Sequence, residues 1–471
     1  MRVLTNDIPG KEGQDVELFG WADARRAHGK ILFIDLRDRS GVAQLTILPK
    51  PAELFKAADE VRPEWVLRVR GTINKRPAGM ENSHLPTGNH EVLVKELTVL
   101  SKSEALPIPI DTDGLNIEED MRLKYRYLDL RRSRLQKNMR LRAKFLDEAR
   151  KFLVARDFIE IETPLLTKST PEGSRDFLVP SRLSPGKFYA LPQSPQQYKQ
   201  LLMVAGFERY FQFARALRDE DLRADRTFEH TQIDLEMSFV ERDDVMSLIE
   251  EMIVVVWESM GKKIKAKPFP RFTYSEAMEK FGADKFDMRS DDEKKESVFA
   301  FAWVTDFPVF SAEGGSASGG EKKLTYSHNP FTGMKQEDEE KLMKGESLET
   351  LSSLQYDLVC NGHEVGGGGI RIHKPEVLKK VFEVIGHKPE DIEAQFGHIL
   401  EAFSYGVPPH GGIALGVERL IALLAGEDHI RETQAFPTNS SGRTSVMQAP
   451  SEVSRGQLDE LGISIKKHNA K

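Results

Sequence analysis

The segment RALRDEDLRADR, residues 215–226, joins two strand-like stretches, GFERYFQFA before it and TFEHTQIDLEMSF after it. It sets Arg215, Arg218, Arg223 and Arg226 against Asp219, Glu220, Asp221 and Asp225. A plain hairpin needs only about two to five residues with Gly or Asn at the bend. A longer, charged connection can hold a polyanion above a sheet. Arg218 offers a forked donor to a phosphate or carboxylate. Glu220 only accepts, and suits an amine such as that of an adenine ring. A surface salt-bridge network explains the same spacing equally well.

Three further stretches carry chemistry. KFYALPQSPQQYKQLLM places Gln193, Ser194, Gln196 and Lys199 at a turn into an apolar helix, where a Lys one turn inside can pair with a buried carboxylate. YDLVCNGHEVGGGGIRIH ends in four glycines and Arg371, a run that lets backbone approach a ligand closely. Within it Asp357 and Glu364, one strand's length apart, suit magnesium with phosphates completing the shell. PPHGGIALGVERLIALLAG puts Gly411, Gly412, Gly416 and Arg419 in a strand, turn and helix start, an end that favours anions.

The elements that must position these groups are legible in outline. Residues 15–100 hold five short strand patterns, VELFGWA, KILFIDLRD, VAQLTIL, WVLRVRGTI and HEVLVKELTVL, with one helical segment, PAELFKAADEV, between the third and fourth. That order predicts a small closed barrel of the OB type. Phe33 lies near Arg25, Arg26, Lys30, Arg37 and Arg39, a setting for stacking on unpaired bases; taken alone, it reads as core. ALPIPIDTDGLNIEED reads as a linker. From Arg122 to Lys144 there are ten Lys or Arg and one acid, Asp129, which reads as a solvated helix face or as a surface for phosphates. Leu141, Phe145, Ala149, Phe152 and Leu153 share one helical face. Beyond them strands and helices mix without a βαβ period, which favours an antiparallel or mixed sheet. SAEGGSASGGEKK, residues 311–323, reads as a surface loop.

Length and composition bound the class. The 471 residues suffice for two or three domains, with 39% hydrophobic, 30% charged and a net charge of −7, which argues against nonspecific nucleic-acid binding. No run is apolar enough for a membrane helix, and the N-terminus lacks a secretory core. The single cysteine, Cys360, forms no internal disulfide and is expected to be inert; the cytosol is the expected compartment.

Taken together, these motifs resemble the class II aminoacyl-tRNA synthetases, aspartyl type of bacterial pattern, over nearly the whole length. DFIEIETPLLTKSTPEGSRDFLVPSR resembles motif 1 and the segment after it, RALRDEDLRADRTFEHTQIDLEM motif 2, and GIALGVERL motif 3. YRYLDLRR, ALPQSPQQYKQLLM and VGGGGIRIH are similar to aspartyl-type signatures. The resemblance implies an α+β protein: an anticodon-binding OB-fold barrel over 1–104, a linker or hinge over 105–135, and a catalytic domain over 136–471 with an antiparallel sheet flanked by helices. It implies a cytoplasmic homodimer built around motif 1. The activity implied is ATP- and Mg²⁺-dependent activation of L-aspartate to aspartyl-adenylate, then transfer to the 3′ end of tRNA-Asp. An asparaginyl enzyme and a non-catalytic RNA-binding paralogue are the alternatives; Lys199 and Arg371 speak against the first, and intact Arg218, Glu220, Glu364, Arg371 and Arg419 against the second.

Carried over residue by residue, the resemblance assigns catalysis to Arg218 and Arg419. Glu172, Gln196, Lys199, Arg218, Asp234, His328 and Arg371 would bind aspartate, with Lys199 and Arg371 gripping its side-chain carboxylate. Arg218, Asp219, Glu220, Glu364, Gly416, Val417, Glu418 and Arg419 would bind ATP, and Asp357 and Glu364 the metal. Phe33 and Gln44 would meet anticodon bases. Four features depart from, or refine, the pattern. The large inserted domain of bacterial relatives is essentially absent near 285–300, where MRSDDEKKESVFAFAWVTDF runs almost straight through. His230 stands where a Phe usually stacks on adenine, with a charge expected to vary near neutrality. Asn329 replaces the second of two histidines. His28 and Gly79 match the pair of nondiscriminating enzymes, which also charge tRNA-Asn and rely on an amidotransferase downstream.

Overall fold

The computed structural model describes residues 2–169, 173–313 and 323–466. Glu172 and most of the loop 311–323 therefore lie outside the described residues. The chain divides into two units, Met1–Pro109 and Ile110–Lys471.

The first unit is a closed five-stranded barrel. Its strands are Asp15–His28, Ile31–Arg37, Val42–Ile47, Val66–Lys75 and His90–Ser101, with a helix, Ala52–Glu60, after the third. Alternation does the folding: in Ile31–Arg37, Leu32, Ile34 and Leu36 are fully buried, and the residues between them face out. Phe33 is one of the outward residues, so burial in the core is not its role.

The second unit is built on an eight-stranded sheet. In spatial order the strands are Arg271–Thr273, Phe301–Thr305, Gln355–Cys360, His363–Ile370, His410–Gly416, Glu229–Ser238, Arg209–Leu217 and Ile159–Glu160. The six central strands pair antiparallel, and one parallel pair stands at each edge. One face packs on helices Ser133–Val154, Arg242–Ser259 and Val417–Ala425. Phe145, Ala149, Phe152 and Leu153 bury as their helical spacing predicts, with Leu141 half-buried beside them. Each large side chain so buried stabilises by about 1.5–3 kcal/mol. Cys360 lies in the same core, where burial pushes its thiol pKa well up, so it is inert.

The basic segment is neither a solvated face nor an open phosphate surface at its start. Arg122, Arg126 and Arg132 are buried around Asp129 and Glu432. Arg126 also donates to the carbonyls of Arg431, Gln434 and Ala435, so with Asp129 every nitrogen of its guanidinium has a partner. Residues from Ile110 onward thus belong to the second unit, and most of the stretch expected as a linker, 105–135, lies in its packed body. Composition alone missed this because the partner carboxylate, Glu432, lies about three hundred residues away.

The chain crosses the insertion point compactly. A short helix, Asp291–Lys295, leads straight into Phe301–Thr305, and Phe281, stacked on Phe286 at 4.0 Å, closes a small apolar cluster there.

Candidate active site

A cavity of about 500 Å³ opens on the other face of the central strands. The strand Glu229–Ser238 supplies its wall by simple alternation: Ile233, Leu235 and Met237 enter the core, while His230, Gln232, Asp234 and Glu236 point the other way. Beyond the next strand, His410–Gly416, the run Gly366–Gly368 of His363–Ile370 gives a stretch of floor bare of side chains. A Cβ on Gly367 would stand 3.0 Å from Asp357 Oδ1, and one on Gly412 would meet Glu236 Oε2 at 2.1 Å. Glycine at these two positions is what leaves room for the carboxylates.

At the inner end four charges interlock. Lys199 Nζ lies 2.8 Å from Asp234 Oδ2 and 3.2 Å from Glu236 Oε2. Arg371 donates through Nε and Nη2 to the two oxygens of Glu236, at 2.8 and 3.2 Å. All four side chains are buried. The cations hold Glu236 down to about 2 despite its burial. Burial pushes Asp234 up, against the pull of Lys199. Asp234 Oδ1 and Gln196 Nε2 are buried with no hydrogen-bond partner, so the end is built to receive more polar atoms than the protein supplies. Glu236 was not singled out from sequence; its signal was the alternation in HTQIDLEM, which puts it in phase with Asp234.

The outer end carries the remaining charges. Arg218 donates through Nε to the Gln193 carbonyl at 3.3 Å and lines the cavity. Glu220 accepts from Ser174 Oγ and pairs with Arg226 at 3.5 Å. Arg419 donates to the Glu364 carbonyl and reaches Asp225 Oδ2 at 3.3 Å, leaving Nε buried and unpartnered. The loop between the strands is held from behind: Ile430 N donates to the Ala224 carbonyl and Arg431 to that of Arg223, while Arg431 is also clamped by Glu119 at 2.7 Å. His230 is surrounded by Arg218, Arg419 and Arg215; burial first, then these cations, pull it down to about 3. It is therefore neutral at physiological pH, which corrects the expectation that its charge varies near neutrality.

Asp357 is buried, bonded by Gln355 at 2.7 Å, and pushed well up by burial and then by Glu364. His328 stands 3.6 Å from Asp357 Oδ2 and packs on Phe307. Among the described residues no group of three or more acidic, His or Cys side chains gathers to hold a metal alone. Two carboxylates fit magnesium, which keeps waters and takes phosphate oxygens, and do not fit an ion needing an all-protein cage.

The cavity thus gathers Gln196, Lys199, Arg218, Glu220, Asp234, His328, Asp357, Glu364, Arg371, Gly416, Glu418 and Arg419. Two expected residues do not face it. Asp219 turns to Arg175, its backbone donating to the Arg175 carbonyl and its carboxylate 3.8 Å from the guanidinium. Val417 is fully buried in the core. Glu418 lines the floor while accepting from Thr231 N at 2.8 Å and pairing with Arg142.

Residues 118–440 match the family described as "tRNA synthetases class II (D, K and N)", and residues 16–100 match "OB-fold nucleic acid binding domain". The chain belongs to the class II aminoacyl-tRNA synthetases. It is an aminoacyl-tRNA ligase. It is 41% identical to the aspartate--tRNA(Asp/Asn) ligase of Rubrobacter xylanophilus, over 96% of this chain and 95% of that one. It is 40% identical to the enzyme of the same name from Dictyoglomus turgidum, over 96% of both. The first alignment spans 576 positions against a chain of 471, so that relative carries residues missing here. The fold is shared with Pyrococcus horikoshii asparaginyl-tRNA synthetase complexed with asparaginyl-adenylate (TM-score 0.74, 23% identity, 93% of this chain and 98% of that). It is shared also with Entamoeba histolytica aspartyl-tRNA synthetase (0.73, 21%, 93% and 91%).

On the barrel of the synthetase, Phe33 sits across from Arg26 and Thr46. Gln44 Nε2 and Thr46 Oγ1 both donate to Glu91 Oε2, at 3.1 and 2.7 Å. Glu91 was not picked out in the sequence. His28 ends an exposed hairpin arm, and Gly79 turns at φ +83°, a conformation that favours glycine. Among the described residues no helix is long and apolar enough to cross a membrane.

Proposed function

We propose that this synthetase activates L-aspartate with ATP and transfers it to the 3′ end of tRNA-Asp. The observation that carries the reading is the inner end of the cavity, where two buried cations are fixed by two buried acids. Arg371 spends Nε and Nη2 on Glu236, leaving Nη1 for a ligand carboxylate beside Lys199. Asp234 Oδ1, without a partner, is placed for a ligand ammonium. Aspartate satisfies both demands. Asparagine would leave the cations facing a neutral amide, a loss of about 2 kcal/mol or more in a buried site. By the family resemblance, Glu172 and Gln196 join Asp234 in receiving the amino group, and His328 closes over the pocket.

At the outer end Arg218 bridges the aspartate α-carboxylate and the α-phosphate. The carboxylate oxygen attacks phosphorus, the bond to the β-phosphate breaks, and its electron pair leaves with pyrophosphate. Arg218 and Arg419 stabilise the charge that builds; no side chain forms a covalent bond. Glu220 holds the adenine amine after giving up Arg226, neutral His230 stacks on the ring, and Gly416 and Glu418 line the nucleotide's bed. Asp357 and Glu364 would hold magnesium, which supplies charge neutralisation at the phosphates.

On the barrel, Phe33 and Gln44 meet anticodon bases, with Glu91 orienting Gln44. His28 and Gly79 are the determinants of tRNA choice, and the chain charges tRNA-Asn as well as tRNA-Asp; the names of its two relatives support this. A cytoplasmic homodimer is part of the same reading, supported by exposed Ile159, Leu165 and Leu166 at the motif 1 edge of the sheet. The test is aminoacylation of separate tRNA-Asp and tRNA-Asn transcripts with aspartate. Charging of both is expected; charging of tRNA-Asp alone removes the dual specificity, and charging of neither overturns the reading.

A further inference from the structure

The nucleotide end of the cavity holds one cation that none of the synthetase motifs includes. Lys285 lines it, with Nζ 2.8 Å from Glu364 Oε2. Its backbone is fixed from behind. Phe286 is buried against Phe281 and Phe272, and its carbonyl accepts from Gly362 N at 3.0 Å, tying the segment to the turn that precedes Glu364. One residue on, Asp287 clamps Arg289 at 2.8 Å. The Lys285 side chain itself is 44% exposed, so an anchored backbone carries an ammonium free to swing.

The charges around it are lopsided. Glu364, Asp284 and Asp357 all act on Lys285. Arg419 acts on Glu364 through space, but gives its hydrogen bonds to the Glu364 carbonyl and to Asp225. Neighbouring His328 is kept towards its neutral form by burial. Lys285 is thus the ammonium that directly bonds the carboxylate assigned to the metal.

We propose that Lys285 is an internal counter-ion of the magnesium–triphosphate site, occupying Glu364 while the site is empty and turning to the terminal phosphates when the magnesium nucleotide is bound. The inference rests on the function proposed above. In the activation step Lys285 transfers no proton. It offsets part of the negative charge that passes to pyrophosphate as the α–β bond breaks.

An ammonium and a divalent ion competing for one carboxylate oxygen give effects of opposite sign, which a merely structural lysine would not. The experiment compares the parent, K285M and K285R by titration of the nucleotide-free proteins with Mn²⁺ as a paramagnetic probe, and by aspartate-dependent pyrophosphate exchange. K285M is expected to bind the metal about threefold to tenfold more tightly. Its exchange kcat is expected to fall about tenfold to a hundredfold. K285R should stay close to the parent in both, and K285Q replaces K285M if the latter melts early. Metal affinity unchanged or weakened, or kcat unchanged, overturns the proposal. If the parent shows no aspartate-dependent exchange, the functional reading is what has failed, and the metal titration alone judges the counter-ion.

Discussion

Glu236 makes the sharpest target for perturbation, because it touches both selecting cations and is fully buried. Replacing it with Gln keeps the shape and removes the charge. The size of the effect follows from its acidity. The carboxyl falls from an ordinary 4.5 to about 2 in the fold, and one unit corresponds to about 1.4 kcal/mol. The charged form therefore contributes about 3 kcal/mol, in line with the cost of breaking a buried pair. The sign with pH is fixed as well. The contribution is fully present above the unfolded value of 4.5 and is lost as pH falls towards about 2. Urea unfolding of parent and E236Q at pH 7 should differ by about 3 kcal/mol, and the difference should narrow below pH of about 4.5. With the charge and one of the two acceptor oxygens gone, Arg371 is held less firmly, so KM for aspartate in pyrophosphate exchange should rise about tenfold or more. An E236Q protein within about 0.5 kcal/mol of the parent and with unchanged KM would refute the claim that Glu236 fixes the cations.

Two further outcomes rest on the same geometry. G412A drives a methyl to within 2.1 Å of Glu236 Oε2 and 2.0 Å of the Leu235 carbonyl, so it should cost about 1–3 kcal/mol in urea unfolding and abolish exchange. His410 is buried between the Pro408 carbonyl and Gln200, and burial pulls it down to about 4. Below its unfolded value of about 6.5 the unfolded chain takes up a proton that the folded chain refuses. Stability is therefore full above pH of about 6.5 and falls as pH drops towards about 4, by up to about 3 kcal/mol. Urea midpoints at pH 7.5 and 5, in the parent and in H410N, check that the histidine carries this slope.

Much of this was legible in the sequence because it is local. Period-2 alternation gives the five barrel strands, and the 3.6-residue period gives the face of Phe145, Ala149, Phe152 and Leu153. The motifs also bring Lys199, Arg218, Arg371 and Arg419 to one cavity. What failed was long-range pairing. Arg122, Arg126 and Arg132 looked like surface charge because Glu432, which neutralises two of them, is distant in the chain. His230 looked titratable because its burial, and then the approach of its three arginine neighbours, arise only in the fold. Asp219 comes directly after Arg218, yet it lies past the strand end in a backbone bridge with Arg175, far off in sequence. Glu236 was missed although its phase with Asp234 was readable, since its partners, Lys199 and Arg371, come from two other elements.

The central claim is that Lys199 and Arg371, held by Asp234 and Glu236, select a carboxylate over an amide. The most direct measurement is pyrophosphate exchange into ATP by the parent protein, with aspartate and asparagine supplied separately. Exchange with aspartate and none above background with asparagine is the expected result. Exchange supported by asparagine, at a rate equal to or above that with aspartate, would contradict it.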